Sequence, residues 1–126
     1  MSQSSPGFVY TFVTGADLSA HRNKFLKVTA DYTVNLATDE ADAVLGVQDD
    51  IPFAAAGAQV AVRMSHTAEV IAGAAVTAGA KVTCDAQGRA VAAAAGENYH
   101  GIALEAATAA GDLIEVFLVK GAVPAA

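Results

Sequence analysis

Residues 58–64 alternate with a period of two: Val60, Val62 and Met64 fall on one side, Gln59 and Arg63 on the other. That pattern predicts a β-strand with one covered face. Short apolar runs of the same kind recur along the chain, punctuated by Gly46, Gly57, Gly79, Gly88, Gly96, Gly101 and Gly111. Breaks every ten residues or so suit strands joined by turns better than helices of ordinary length. The run Cys84-Asp85-Ala86-Gln87-Gly88-Arg89 places Asp and Gly as a tight turn between two strands requires. The predicted strands are 8–13, 25–30, 32–36, 43–48, 58–64, 67–71, 81–84, 89–93, 98–104 and 112–119. Alanine has the highest helix propensity, which leaves room for a short helical turn near residues 17–20 or in the alanine-rich stretches 90–95 and 103–110.

The segments also repeat. Lys27-Val28-Thr29-Ala30-Asp31 returns as Lys81-Val82-Thr83-Cys84-Asp85, an offset of 54 residues. The same offset relates Gly57 to Gly111, Val60 to Ile114, Val62 to Val116 and Met64 to Leu118. Val44-Leu45-Gly46-Val47 matches Tyr99-His100-Gly101-Ile102 at an offset of 55. Two similar halves of short strands most simply close into a compact unit. The expected fold is therefore all-β: a compact antiparallel barrel or sandwich built from two pseudo-repeated halves. Residues 1–14 form an N-terminal arm or first strand, and residues 15–126 a single β domain with half-repeats at about 24–66 and 78–120.

Composition narrows the functional classes. Hydrophobic residues make up 54% of the 126, but many are alanine, and there are five Phe, three Tyr and no Trp. The core is expected to be thin and rich in valine, as closely spaced strands allow. Seven Lys and Arg against thirteen Asp and Glu give a net charge of −6. The basic stripe of a nucleic-acid binder is missing, and Arg22, Lys24 and Lys27 are expected on a solvated edge or loop. A single cysteine, Cys84, excludes an intrachain disulfide and is expected to be small and buried at a strand end. The opening residues are polar and lack the basic-then-apolar order of a signal peptide. No uninterrupted apolar run of about 18 residues predicts a membrane-spanning helix.

No catalytic pattern stands out. His21, His66 and His100 are far apart and at no metal-ligand spacing; His66 is expected in a turn and His100 as a half-buried core or edge residue. Asp39, Glu40 and Asp42, with Asp49 and Asp50, lack the alternation and central glycine of a calcium loop. Glu105 and Glu115 have no pocket-forming partners that would make them an acid–base pair. The expectation is a protein with no enzymatic activity, no cofactor and no metal.

Two segments carry apolar residues without an obvious place in one core. Phe8, Tyr10 and Phe12 lie in the most aromatic stretch, before the first repeat, in a first strand or an arm reaching a neighbouring subunit. In residues 113–118, Ile114, Val116 and Leu118 match the inward face of residues 58–64, so Leu113 and Phe117 stand where the repeat has Gln59 and Arg63. Apolar residues on both faces imply coverage by another part of the chain or by another subunit. Phe8, Tyr10, Phe12, Leu113 and Phe117 are accordingly the candidate interface.

The second half also resembles a known family. The order Ala72-Gly73-Ala74-Ala75-Val76-Thr77-Ala78-Gly79, Asp85-Ala86-Gln87-Gly88-Arg89-Ala90-Val91, Gly101-Ile102-Ala103-Leu104-Glu105-Ala106-Ala107 and Gly111-Asp112-Leu113-Ile114-Glu115-Val116 is similar to that of capsid cement, or head decoration, proteins of tailed double-stranded-DNA phages. The resemblance covers roughly residues 40–119. It implies a β-rich virion protein, made in the host cytoplasm, that binds the outer face of the capsid and bridges neighbouring major capsid proteins. Its partners would be the major capsid protein and further copies of itself as a dimer or trimer, with no direct contact to nucleic acid or membrane. The alternatives are another virion component, such as a head-fibre base or tail accessory, or a carbohydrate-binding β-sandwich. The last would ordinarily display exposed Trp, which this chain lacks.

Overall fold

The computed structural model describes residues 9–16, 18, 21–48 and 57–125, with the backbone alone for residues 9 and 10. All elements among them are strands: β1 Val9–Thr14, β2 Phe25–Ala30, β3 Thr33–Leu36, β4 Val44–Gln48, β5 Gln59–Arg63, β6 Thr67–Ile71, β7 Lys81–Cys84, β8 Ala90–Ala92, β9 Asn98–Ala103 and β10 Leu113–Ala122. The all-β expectation holds, and each strand expected from the pattern is present with small shifts at its ends. The alanine-rich stretches supply β8, the last residue of β9 and the turns beside them, with no helix. Asp17, Ser19 and Ala20, where a helical turn was considered, lie outside the described residues.

The strands form two sheets. The first is a closed barrel in the order β1-β3-β2-β4-β5, and the second runs β6-β10-β9-β7-β8. Traced from β3, the barrel runs β3-β2-β4-β5-β1; traced from β8, the second sheet runs β8-β7-β9-β10-β6, which is the same order. The one departure from antiparallel strand pairing is matched as well. β1 closes the barrel by lying parallel to β3, with Val13 opposite Thr33 and Thr14 opposite Val34. In the second sheet a parallel bridge joins Ala72, just past β6, to Ala90 at the start of β8. Even its hydrogen bond has a counterpart: Gly15 N–H donates to Val34 O at 2.9 Å, and Gly73 N–H to Ala90 O at 2.8 Å.

The repeated glycines of β4 and β9 have a steric cause. A Cβ on Gly46 would collide with the backbone carbonyl of Arg63 in β5. On Gly101 it would collide with Val116 and approach the carbonyl of Phe117 in β10 to 2.9 Å. Arg63 and Phe117 are themselves separated by the repeat offset of 54 residues. In both halves, then, glycine lets a neighbouring strand come close.

Two apolar clusters result. Leu18, Leu26, Val34, Val60 and Val62 fill the barrel, with Phe12, Leu36, Leu45 and Met64 packed against them. The second cluster fills the other sheet with Val70, Val82, Ile114 and Val116 among others, and it extends into the first half through Phe25, Ala37, Val44 and Val47. Phe25 and Leu26 are adjacent on β2, so their side chains point to opposite faces, and both are fully buried. Leu26 enters the barrel, while Phe25 enters the seam between halves.

Polar groups cross the seam too. Phe25 N–H donates to Gly88 O at 2.8 Å and Ile71 N–H to Asn23 O at 2.9 Å. Asn98 N–H donates to a Glu40 carboxylate oxygen at 3.1 Å. The turn from β7 to β8 is held by Asp85, whose Oδ1 accepts the N–H groups of Gln87 and Arg89 and whose Oδ2 pairs with Arg89 Nε at 2.9 Å. Gly88 takes φ of +73° there and packs against Leu36 and the carbonyls of Phe25 and Ala37. This hairpin motif, already visible in the sequence, thus docks the second half on the first.

Candidate docking surface

The outer face of β10 is fixed by the alternation of the strand. Ile114 and Val116 point inward and are buried, at 1% and 0% exposure, which turns Leu113, Glu115 and Phe117 outward. Leu113 is 46% exposed and Phe117 42%. The antiparallel neighbour β6 sets Ile71 opposite Leu113, Glu69 opposite Glu115 and Thr67 opposite Phe117. On the other side β9 sets Ile102 opposite Phe117, and beyond it Leu104, 51% exposed, donates its N–H to Glu115 O at 2.9 Å. Directly opposed residues share a face. The result is an apolar surface of Leu113, Phe117, Ile71, Ile102 and Leu104 around the carboxylates of Glu69 and Glu115. A third carboxylate, Glu105, accepts the Glu115 N–H at 2.9 Å.

Of the other candidate interface residues, Phe12 lies elsewhere. β1 pairs with β5 along its whole length, setting Tyr10 opposite Val62 and Phe12 opposite Val60. Phe12 is half-buried against the barrel cluster, and its ring stacks on Tyr32 with centroids 6.3 Å apart. The side chain of Tyr10 and all of Phe8 lie outside the described residues. Among the described residues of the candidate set, Leu113 and Phe117 share one surface and Phe12 lies apart from it.

Between the halves runs a groove of about 680 Å³, lined by Val44 and Leu45 of β4, Tyr99 and His100 of β9 and Lys120 of β10. A register shift between Leu118 and Gly121 marks a bulge in β10; bulges re-aim side chains, and Lys120 Nζ donates to the Val44 carbonyl across the groove. Burial lowers the Lys120 pKa. His100, on the groove wall, is 7% exposed, and its ring lies 5.8 Å from that of Phe25. Burial, together with the charge of Lys120, pulls its pKa down to about 4, against a weaker opposing hydrogen bond with the Glu40 backbone. Its Nε2 is buried without a hydrogen-bond partner.

The remaining polar candidates serve the fold. Cys84 ends β7, is 4% exposed and donates Sγ–H to Asp39 O at 3.2 Å. Burial, with Asp42, Asp85 and Asp39 nearby, pushes its thiol up to about 12, so it carries almost no thiolate at neutral pH. Asp42 accepts the N–H groups of Thr38 and Asp39 and pairs with Lys27 at 3.4 Å. Those bonds, led by Thr38, hold its carboxyl below the usual range. Asp112 is treated likewise by Thr108 and Ala109 in the second half. Lys24 donates to His21 at 3.3 Å. His66 occupies the β5–β6 turn with φ of 64°.

Comparison with known proteins follows from this architecture. Residues 5–120 match the family described as phage cement protein. Among solved structures, the N-terminal base of head fibre gp8.5 of bacteriophage phi29 is similar, with a TM-score of 0.60 and 19% identity over 89% of this chain and 93% of that one. At that identity the likeness is one of fold. No curated relative matches the chain.

Proposed function

We infer that this chain, which belongs to the phage cement protein family, binds the outer surface of a phage capsid and stabilises it by bridging major capsid proteins. That it is a structural component of the virion follows from the family. The finer reading rests on one observation above all: Leu113 and Phe117 stand exposed on the outer face of a strand whose other face is core. An apolar surface of this kind on a small, otherwise acidic protein marks a place where another protein sits. Each contact is modest, but many copies spread over a shell under internal pressure add their restraint. The chain acts without catalysis, and its contact with further copies of itself, as a dimer or trimer, uses surfaces other than this face.

A second reading, a head-fibre base, is favoured by the likeness to the phi29 protein, and electron micrographs of intact heads separate the two, since a fibre projects outward from its base and a cement protein lies on the shell. For the first reading, heads lacking the chain are expected to rupture at lower temperature or milder osmotic shock than complete heads. Adding the purified chain back restores their resistance. Equal resistance with and without it would contradict the stabilising role.

A further inference from the structure

We propose that the face formed by β6, β9 and β10 docks against a cationic protein surface, lysine or arginine residues of the capsid shell, and is kept by its own charge from pairing with a second copy of the chain. The proposal rests on the docking reading above and adds the chemistry of the partner.

Its basis is the position of the carboxylates. Glu69 and Glu115 are directly opposed across β6 and β10, and Glu105 reaches the backbone of Glu115. Three negative charges therefore lie within a surface whose other members, Leu113, Phe117 and Leu104, are large exposed apolar residues. Like charges directly opposite on a sheet are unfavourable, so the arrangement costs the free protein some stability. Of the cations beside this face, Arg63 donates to Thr67 O at 3.4 Å, and Lys81, opposite Ile102 on β7, lies 5.7 Å from the centre of the Tyr99 ring.

Two partner classes respond oppositely to this surface. In a symmetric pairing of two copies the same patch meets itself, bringing carboxylates against carboxylates as the apolar residues close, in a chain already at −6. A cationic partner gains from the same closure, because apolar contact excludes water and strengthens each ion pair. Phe117 and Leu113 supply the contact area, and the glutamates select what may make it.

The test uses heads purified from the phage that encodes the chain, prepared without it, and measures binding by co-sedimentation at about 50 and about 500 mM NaCl. Wild type is expected to bind roughly tenfold more weakly at the higher salt. The double variant Glu69→Gln/Glu115→Gln is expected to bind roughly tenfold more weakly at low salt and to lose most of the salt dependence. It should melt no earlier than wild type, since an opposed pair of like charges is removed; should it melt early, Glu69→Gln alone carries the comparison. Phe117→Ala is expected to weaken binding at both salts and keep the salt dependence. If neither salt nor the glutamine variants alter binding while Phe117→Ala weakens it, the cationic partner is wrong and the docking face stands. If wild type does not bind the heads, or Phe117→Ala binds as wild type does, the docking face falls and the proposal with it.

Discussion

Phe25→Ala is expected to lower the stability of the chain by about 3–5 kcal/mol, the range for emptying a buried aromatic site. Phe25 has no exposed surface. Although it belongs to the barrel strand β2, it packs in the cluster that fills the second half. Its backbone is committed to the same seam, donating to Gly88 and accepting from Ala37 N–H at 3.0 Å. The lost ring therefore leaves a cavity between the halves, where β-sheets on both sides limit collapse. A loss of this size is a large share of the about 5–15 kcal/mol that holds an ordinary domain together. Urea unfolding followed by tyrosine fluorescence and by far-ultraviolet circular dichroism checks it. Besides the drop in midpoint, the two probes should separate as the halves lose their coupling. A loss below about 1 kcal/mol would show that Phe25 is not the joint.

The second large effect is acid sensitivity. Folding depresses the His100 pKa from 6.5 to about 4, chiefly by burial. The unfolded chain therefore takes up a proton at a pH where the folded chain refuses it. His100 contributes stability that is fully present above pH 6.5 and is lost as the pH falls through about 4. At about 1.4 kcal/mol per pH unit, the loss comes to about 3 kcal/mol. Asp42 and Asp112, whose carboxyls are also lowered, add their losses below their ordinary 3.8. His100→Phe, which keeps a ring against Phe25 and removes the titration, is expected to flatten the stability profile between pH 6.5 and 4. Denaturant midpoints for both proteins across that interval provide the check, and parallel profiles would contradict the assignment.

The strands were legible because nearly all the information needed to place them is local. Alternation in residues 58–64 and glycine between apolar runs reflect a backbone that must turn every few residues, and the repeat offset appears again in the carbonyls of Arg63 and Phe117. The inward and outward faces of β10 were legible for the same reason: Ile114 and Val116 are core, while Leu113 and Phe117 are exposed. What connects the strands is not local. The parallel pairing of β1 with β3 leaves no mark in either segment. Phe25 and Leu26 appear simply as adjacent apolar residues, and that both faces of β2 are buried becomes visible only with the second half in place. The bulge that sends Lys120 to Val44 has no signal beyond a lysine followed by glycine.

The candidate surface divides along the same line. Glu115 could be read from the sequence as an outward residue, but its position opposite Glu69 depends on the register of β6 against β10. Phe12 belongs to an aromatic segment that suggested a contact surface, whereas in the structure it leans on the barrel and stacks with Tyr32. Hydrophobicity alone does not distinguish an aromatic that faces a partner from one that faces its own core. Pairing does.

Cryo-electron microscopy of intact heads carrying the chain tests the central claim most directly. The expected reconstruction has two-lobed density on the outside of the shell, oriented so that β6 and β10 lie against the major capsid protein with Phe117 at the contact. Density that presents that face to solvent, or heads that carry no such density at all, would contradict it.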